Sequence, residues 1–481
     1  MPYKWPLALD VLTKGWQARK QRKLLAMFDQ YFDALGPTVQ VSILAGKGYA
    51  TMDPDNIETI LSTRFEDFHL GPRNAAMKAM IGEGIFTQDD QAWKHSRDLL
   101  RGNFARMRYQ NLEGFREHVE NLVFTPKPRA PGIIDLQPLL FRLTLNTTIA
   151  VVLGQPIDSF NHEVDDGFSE AFDKASLVTA TRVKLGDLWF LYAPRGFFQA
   201  CKTVKDYTEQ FVQAALRSDT SQQDKDSDTL LSVMKREYSN IELVRDQVTN
   251  VLIAGRDTTA TTMSYAFRLL IRHPEKLQKL RAEVEEFLGD DRLLIRHPEK
   301  LQKLRAEVEE ILGDDTTSTR ARTQRMPYFH NVIQETLRLY PPVPINTRFC
   351  RRTTHLPRGG GPDGQSPLLV RENMPVVYSV YHMQRRTDIY GEDALCFRPE
   401  RWEGPELANI KWAYLPFNGG PRVCLGKDFG LMLASYVIAR VVQAVLMIEL
   451  PPGEVVEPIG TEKQHLTLIL SNADGCKVKL G

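Results

Sequence analysis

Phe417-Asn-Gly-Gly-Pro-Arg-Val-Cys424-Leu-Gly426 decides how the rest of this chain is read. A cysteine sulfur binds a metal as the thiolate, and a thiolate needs positive or dipolar neighbours. Gly419, Gly420 and Pro421 predict a tight loop, and an apolar helical pattern begins directly after Cys424. Backbone N–H groups at the start of that helix can point at the sulfur and stabilise its charge. Gly426 leaves room for a flat ligand beside the chain, and Arg422 can pair with an acidic group on that ligand. For a lone cysteine the competing reading is a buried structural residue in a glycine turn. The chain has five cysteines, Cys201, Cys350, Cys396, Cys424 and Cys476, odd in number and widely scattered. That pattern argues against a disulfide framework and against a paired-cysteine zinc site.

Three other segments carry residues suited to chemistry. Ala254-Gly255-Arg-Asp257-Thr258-Thr259 lies inside a long helical pattern. Small residues let a helix backbone approach a planar group, and a threonine hydroxyl can bond back to a carbonyl one turn earlier, opening or bending the helix. Glu335-Thr-Leu-Arg338 places opposite charges at i and i+3 on one helix face. Exposed, such a pair is worth under about 1 kcal/mol. Buried and joined by Arg401 of Pro399-Glu-Arg-Trp402, the trio would cost roughly 3–5 kcal/mol to break. Trp93-Lys-His-Ser-Arg97 sets an indole N–H and a guanidinium one turn apart, a pair suited to a buried carboxylate.

The cysteine loop resembles the cysteine-ligand loop of the cytochrome P-450 family at Phe417, Gly420, Arg422, Cys424 and Gly426. The four signals also fall in that family's order between residues 93 and 426. Gly84-Ile-Phe-Thr, Leu356-Pro-Arg-Gly-Gly-Gly-Pro-Asp-Gly-Gln-Ser-Pro and Trp412-Ala-Tyr-Leu-Pro-Phe look like the fungal subgroup that hydroxylates n-alkanes and fatty acids at the chain end. The resemblance implies a mainly helical fold with a small β portion. In that fold haem b lies between the long oxygen-binding helix, with Ala254 and Gly255, and the helix after the loop. It implies that Cys424 is the iron ligand and that Trp93, Arg97, Arg348 and Arg422 meet the propionates. Asp257 and Thr258 would deliver protons during dioxygen activation, while Glu335, Arg338 and Arg401 hold the cysteine loop. Electrons would come from NADPH through a separate reductase, and substrate contacts would lie in Leu70–Phe86, around Ala254 and in Val343–Ile345. The expected setting is the cytosolic face of the endoplasmic reticulum membrane. A peroxide-using haem-thiolate enzyme is the alternative that the Asp257–Thr258 pair argues against.

Hydrophobic residues make up 42% and charged residues 25% of the 481 residues, and the net charge is +1. This is the balance of a globular protein, with no global field pointing to nucleic acid. No run of about 18 apolar residues occurs. The basic cluster Lys14, Arg19, Lys20, Arg22 and Lys23 reads as a solvated helix face or a membrane-surface contact. Residues 1–34 are therefore set apart as a basic segment, the membrane anchor of the subgroup being absent or lost, and 35–481 as one haem-thiolate domain. Val39–Leu44 alternates like a strand, and Asp53–Phe68 has helical spacing behind an Asp-Pro start. Residues 90–340 are mostly helical in pattern. Short β runs at Pro367–Val370 and Val376–Tyr381 sit among turns from Pro341 to Pro375.

Arg268–Asp291 and Arg292–Asp315 are the same 24-residue segment in tandem, differing at Phe287 and Ile311. Solenoid repeats diverge and need at least three copies, so an isolated duplication is the better reading. The spare copy is expected to form an extra surface helix or a long loop, and it leaves an inactive or sensor-type haem protein as a third possibility.

Overall fold

The computed structural model describes residues 3–43, 46–107, 119, 132–153, 166–218, 229–288, 326–445 and 447–480. The second copy of the duplication lies outside them.

The helix Ile241–Arg272 is the axis of the molecule. Asn240 caps it by accepting from the Glu242 N–H at 2.8 Å. Pro274, two residues beyond its end, cannot continue it. Buried residues line nearly every face from Val244 to Ile271, as expected of a helix enclosed by others. Leu136–Leu153 packs along it on one side and Lys427–Ala444 on another. The latter buries Leu433, Ala434, Val437, Ile438, Val441 and Val442, an apolar stripe at helical spacing. The helix Pro327–Leu339 starts with proline at its first position and stops just before Pro341-Pro342. The expectation of a mainly helical chain with a small β portion holds.

The main sheet has the order β1-β2-β8-β5-β3. β1 (Thr38–Ile43) and β2 (Gly46–Thr51) are antiparallel, and β2 runs parallel to β8 (Pro375–Ser379), with Tyr49 opposite Val376. β5 (Ile345–Cys350) pairs antiparallel with β8 and puts Arg348 opposite Val376, while β3 (Phe68–His69) closes the edge. The amino-terminal hairpin is thus joined to strands more than 300 residues later. β4 (Ile133–Asp135), β12 (Lys477–Leu480) and β9 (Ile448–Glu449) form a second small sheet. Two further hairpins are β6 (Thr354–Gly360) with β7 (Ser366–Val370) and β10 (Gln464–Leu466) with β11 (Leu470–Asn472).

Asp53 does cap its helix, accepting from the Asp55 and Asn56 N–H groups, but the helix does not run to Phe68. It becomes a π-turn over Thr59–Thr63 and a 3₁₀ turn over Phe65–Asp67. The Thr59 hydroxyl bonds back to Asp55 O at 2.8 Å, and Asp67 is drawn toward Thr354 and Arg352 of the neighbouring strand region. β8 also ends earlier than its alternation predicts, because Ser379 caps a helical turn over Val380–Met383.

Candidate active site around Cys424

The cysteine loop is fixed from several directions. Cys424 N–H donates to Phe417 O at 2.9 Å, and Asn418 Nδ2 donates to Arg422 O at 3.1 Å. The Tyr378 hydroxyl, from β8, holds Asn418 Oδ1 at 3.1 Å, and Leu415 N–H donates to the buried Gln384 Oε1 at 2.8 Å. Gly420 has φ +63°, and any Cβ there would run into the carbonyl of Leu61 in the π-turn. That contact explains its glycine. Cys424 is exposed as a residue, although neighbouring atoms crowd its thiol. Burial pushes the thiol up, while the Gly426 N–H and the charges of Arg97 and Lys427 pull it down. The helix after the loop begins at Lys427, so the expected N–H contact to sulfur comes from Gly426.

Four guanidinium groups from separate elements gather beside this loop. Arg348 of β5 is buried and donates to Asn346 Oδ1 at 3.2 Å and to its neighbour Thr347 O. Arg73, first residue of the helix Arg73–Ile81, reaches the same Asn346 Oδ1 at 3.2 Å. Burial pulls the Arg73 pKa down to about 10, and Arg348 adds to the effect. Arg422 lies 4.3 Å over the Trp93 ring and donates to Asp89 Oδ1 at 2.7 Å. Burial lowers it to about 9, with Arg348, Arg73 and Arg97 acting in the same direction. Arg97 donates to Val423 O at 2.9 Å, tying the helix Asp90–Met107 to the residue beside Cys424. Mutually repelling cations packed around one carboxylate make a wall suited to further carboxylates.

Glu335 is fully buried and accepts from both sides. Arg338 Nε and Nη2 meet its two oxygens at 2.8 Å each, and Arg401 Nε meets Oε1 at 2.9 Å. Trp402 Nε1 and the Arg398 N–H complete its shell. The network reaches the cysteine loop by a short path. Arg338 holds Gln384 O, and Gln384 holds the Leu415 N–H two residues before Phe417. A chain of hydrogen bonds thus runs from Glu335 through Arg338 and Gln384 to Leu415.

In the long helix the Thr258 hydroxyl donates to Ala254 O at 2.8 Å, one turn back as expected. The helix continues unbroken through it. Asp257 is buried and pairs with Arg256 Nη1 at 2.9 Å, and Arg256 also reaches Asp173 at 3.2 Å. Burial pushes the Asp257 carboxyl up to about 6, opposed by Arg256. A Cβ at Gly255 would strike the Thr148 side chain of Leu136–Leu153, so helix packing requires the glycine. The two motifs come together at Gly430, six residues after Cys424, where a Cβ would lie 3.3 Å from Thr259 Oγ1.

The cytochrome P450 family model matches residues 3–294 and 292–478. The chain belongs to the cytochrome P450 family. A cytochrome P450 from Arthroderma benhamiae is 40% identical over 99% of this chain and 90% of its own length. Cytochrome P450 52A10 from Candida maltosa is 35% identical over 97% and 89%, and cytochrome P450 52E1 from Candida apicola is 34% identical over 98% and 90%. The chain is thus a P450 monooxygenase, an oxidoreductase whose family carries haem and draws electrons from a redox partner. The two matched runs meet at the first residues of the second copy, so the P450 pattern breaks and resumes at the join of the duplication.

The residues of this P450 fit a haem on two counts: an exposed cysteine in a fixed loop, and a cationic wall beside it. Arg73 and Asp89 were not singled out from the sequence. Arg73 sits in Leu70–Phe86, a stretch expected to supply substrate contacts, and an arginine there among methionines is the signal that would have found it. The Asp89 contact, like that of Asp173 to Arg256, joins residues far apart in the chain and leaves no local pattern.

Proposed function

We propose that this P450 inserts one oxygen atom from O₂ into an aliphatic substrate, hydroxylating n-alkanes or fatty acids at the chain end. The observation carrying this reading is the exposed Cys424 in a fixed loop beside guanidiniums from four separate elements. When bound, haem supplies oxygen activation, made stronger by an electron-donating thiolate. Cys424 would ligate the iron, with the Gly426 N–H, Arg97 and Lys427 favouring its charged form. Arg348, Arg73, Arg97, Arg422 and the Trp93 N–H would hold the propionates, in a site between Ile241–Arg272 and the start of Lys427–Ala444. Asp257 would take and release a proton around pH 6, and Thr258 would pass it on. Glu335, Arg338 and Arg401 keep the sulfur in place and touch no substrate.

NADPH would act through a separate reductase, on the cytosolic face of the endoplasmic reticulum. Among the described residues no helix is long and apolar enough to cross a membrane. Residues 35–481 would work as one domain, supported by the pairing of β2 with β8. The likeness to the fungal chain-end hydroxylases supports the substrate class. The test is turnover of dodecane and dodecanoic acid with NADPH and a P450 reductase. Chain-end alcohols are expected; other substrates turning over while these do not would refute the assignment.

A further inference from the structure

We propose that Lys184 and Arg19 form a clamp for the carboxylate of a long-chain fatty acid, selecting acids over neutral chains. This deepens the reading above and rests on it. Lys184, the last residue of Asp166–Lys184, donates through Nζ to Leu466 O of β10 at 3.0 Å. Arg19, from the helix Leu9–Lys20, donates through Nη2 to Thr181 Oγ1 at 2.7 Å. Thr181 and Lys184 are one turn apart on the same helix face, so the two cations stand side by side.

Both anchors are neutral, a carbonyl and a hydroxyl. Among the described residues no carboxylate forms an ion pair with either cation, and the charge acting on Lys184 is the like charge of Arg19. Lys184 is reachable by solvent, yet burial pulls its pKa down to about 8. An ammonium has three donors, and the bond to Leu466 uses one.

One apolar cluster joins the elements around this pair to the cysteine loop. Arg182, two residues before Lys184, donates to Ala76 O on the helix Arg73–Ile81 at 3.3 Å. Met77 and Met80 of that helix belong to one apolar cluster with Leu468, two residues after Leu466, and with Leu425, the neighbour of Cys424. An alkyl chain held by its acid end at Lys184 would run along this cluster and present its methyl end toward Cys424. Chain-end oxidation of acids follows from that polarity.

The test is spectral titration of the haem-loaded full chain with dodecanoic acid and with methyl dodecanoate, alongside turnover of both. In Lys184→Gln and in Arg19→Gln the affinity for the acid relative to the ester should fall about tenfold, the factor one charged hydrogen bond is worth. Lys184→Arg should restore most of that ratio, and haem content checks that each variant is folded. An acid-to-ester ratio unmoved in both glutamine variants overturns the clamp. So does an unmoved ratio accompanied by lost binding to phosphatidylserine vesicles, which would assign the cations to a lipid surface. If the unaltered protein turns over the acid while the ratio stays put, only the clamp falls. If it turns over neither acid, ester nor dodecane, the proposed function falls with it.

Discussion

Thr258 and Asp257 are adjacent in sequence but have separate partners. The threonine hydroxyl stays within its own helix on Ala254 O, whereas the Asp257 carboxyl is held by Arg256, which Asp173 also reaches. Thr258→Ala removes one helix-internal bond, so the variant should fold and keep haem. Product formed per NADPH should drop several-fold, with peroxide making up the difference; unchanged coupling would refute the relay. Burial favours the protonated form of Asp257, whose carboxyl sits at about 6. Below that pH it carries its proton, and above it the ionised group faces Arg256. Coupling should therefore decline as pH rises through about 6, and Asp257→Asn should lose that inflection in a coupling-versus-pH profile. The raised value has a stability sign as well: its stabilising effect is full below the unfolded value near 3.8 and lost as pH rises through about 6. The acid and the alcohol were legible because they are contiguous. Arg256 as their holder was not, since its second partner lies on another helix.

At the scale of elements, the loop around Cys424 depends on two supports, the Glu335 network and the Leu61 carbonyl beneath Gly420. Glu335→Gln leaves Arg338 and Arg401 buried against a neutral amide, at a cost of roughly 3–5 kcal/mol. Thermal unfolding should fall accordingly, and the variant should lose haem on dilution; a midpoint near that of the parent would show that the trio is dispensable. Gly420→Ala combines a positive φ with a clash against backbone, so haem retention should fall while far-ultraviolet dichroism stays helical. The helices carrying these residues were readable because their apolar positions recur at helical spacing. β5, β6 and the carboxy-terminal strands were hidden among turn residues. They are short and gain order from partners far away, as β12 does from Ile133–Asp135. Asp53–Phe68 misled for the opposite reason, since its helical spacing is overridden by Asp67 bonding to Thr354 and Arg352.

Over the whole molecule, the main sheet pairs the amino-terminal hairpin with strands more than 300 residues later, and the tandem duplication interrupts the family pattern between the Thr258 and Glu335 helices. The described part of the first copy, Arg268–Leu288, belongs to the core: Leu269, Leu270 and Ile271 are buried, as are Leu277, Leu280 and Val284 of Pro274–Leu288. The second copy falls in sequence between Pro274–Leu288 and Pro327–Leu339, and each doubling of a connection costs about 0.6 kcal/mol. Deleting residues 292–315 should leave haem content intact and shift the unfolding midpoint by no more than a few degrees; loss of folding would mean that the second copy is needed. Everything proposed for this P450 rests on Cys424 reaching iron as a thiolate. The difference spectrum of the reduced, haem-loaded protein with carbon monoxide reads that ligation directly. The red-shifted band of a thiolate-ligated haem is expected, absent in Cys424→Ala; a shorter-wavelength band in the parent, or the same red-shifted band in the variant, would contradict the account.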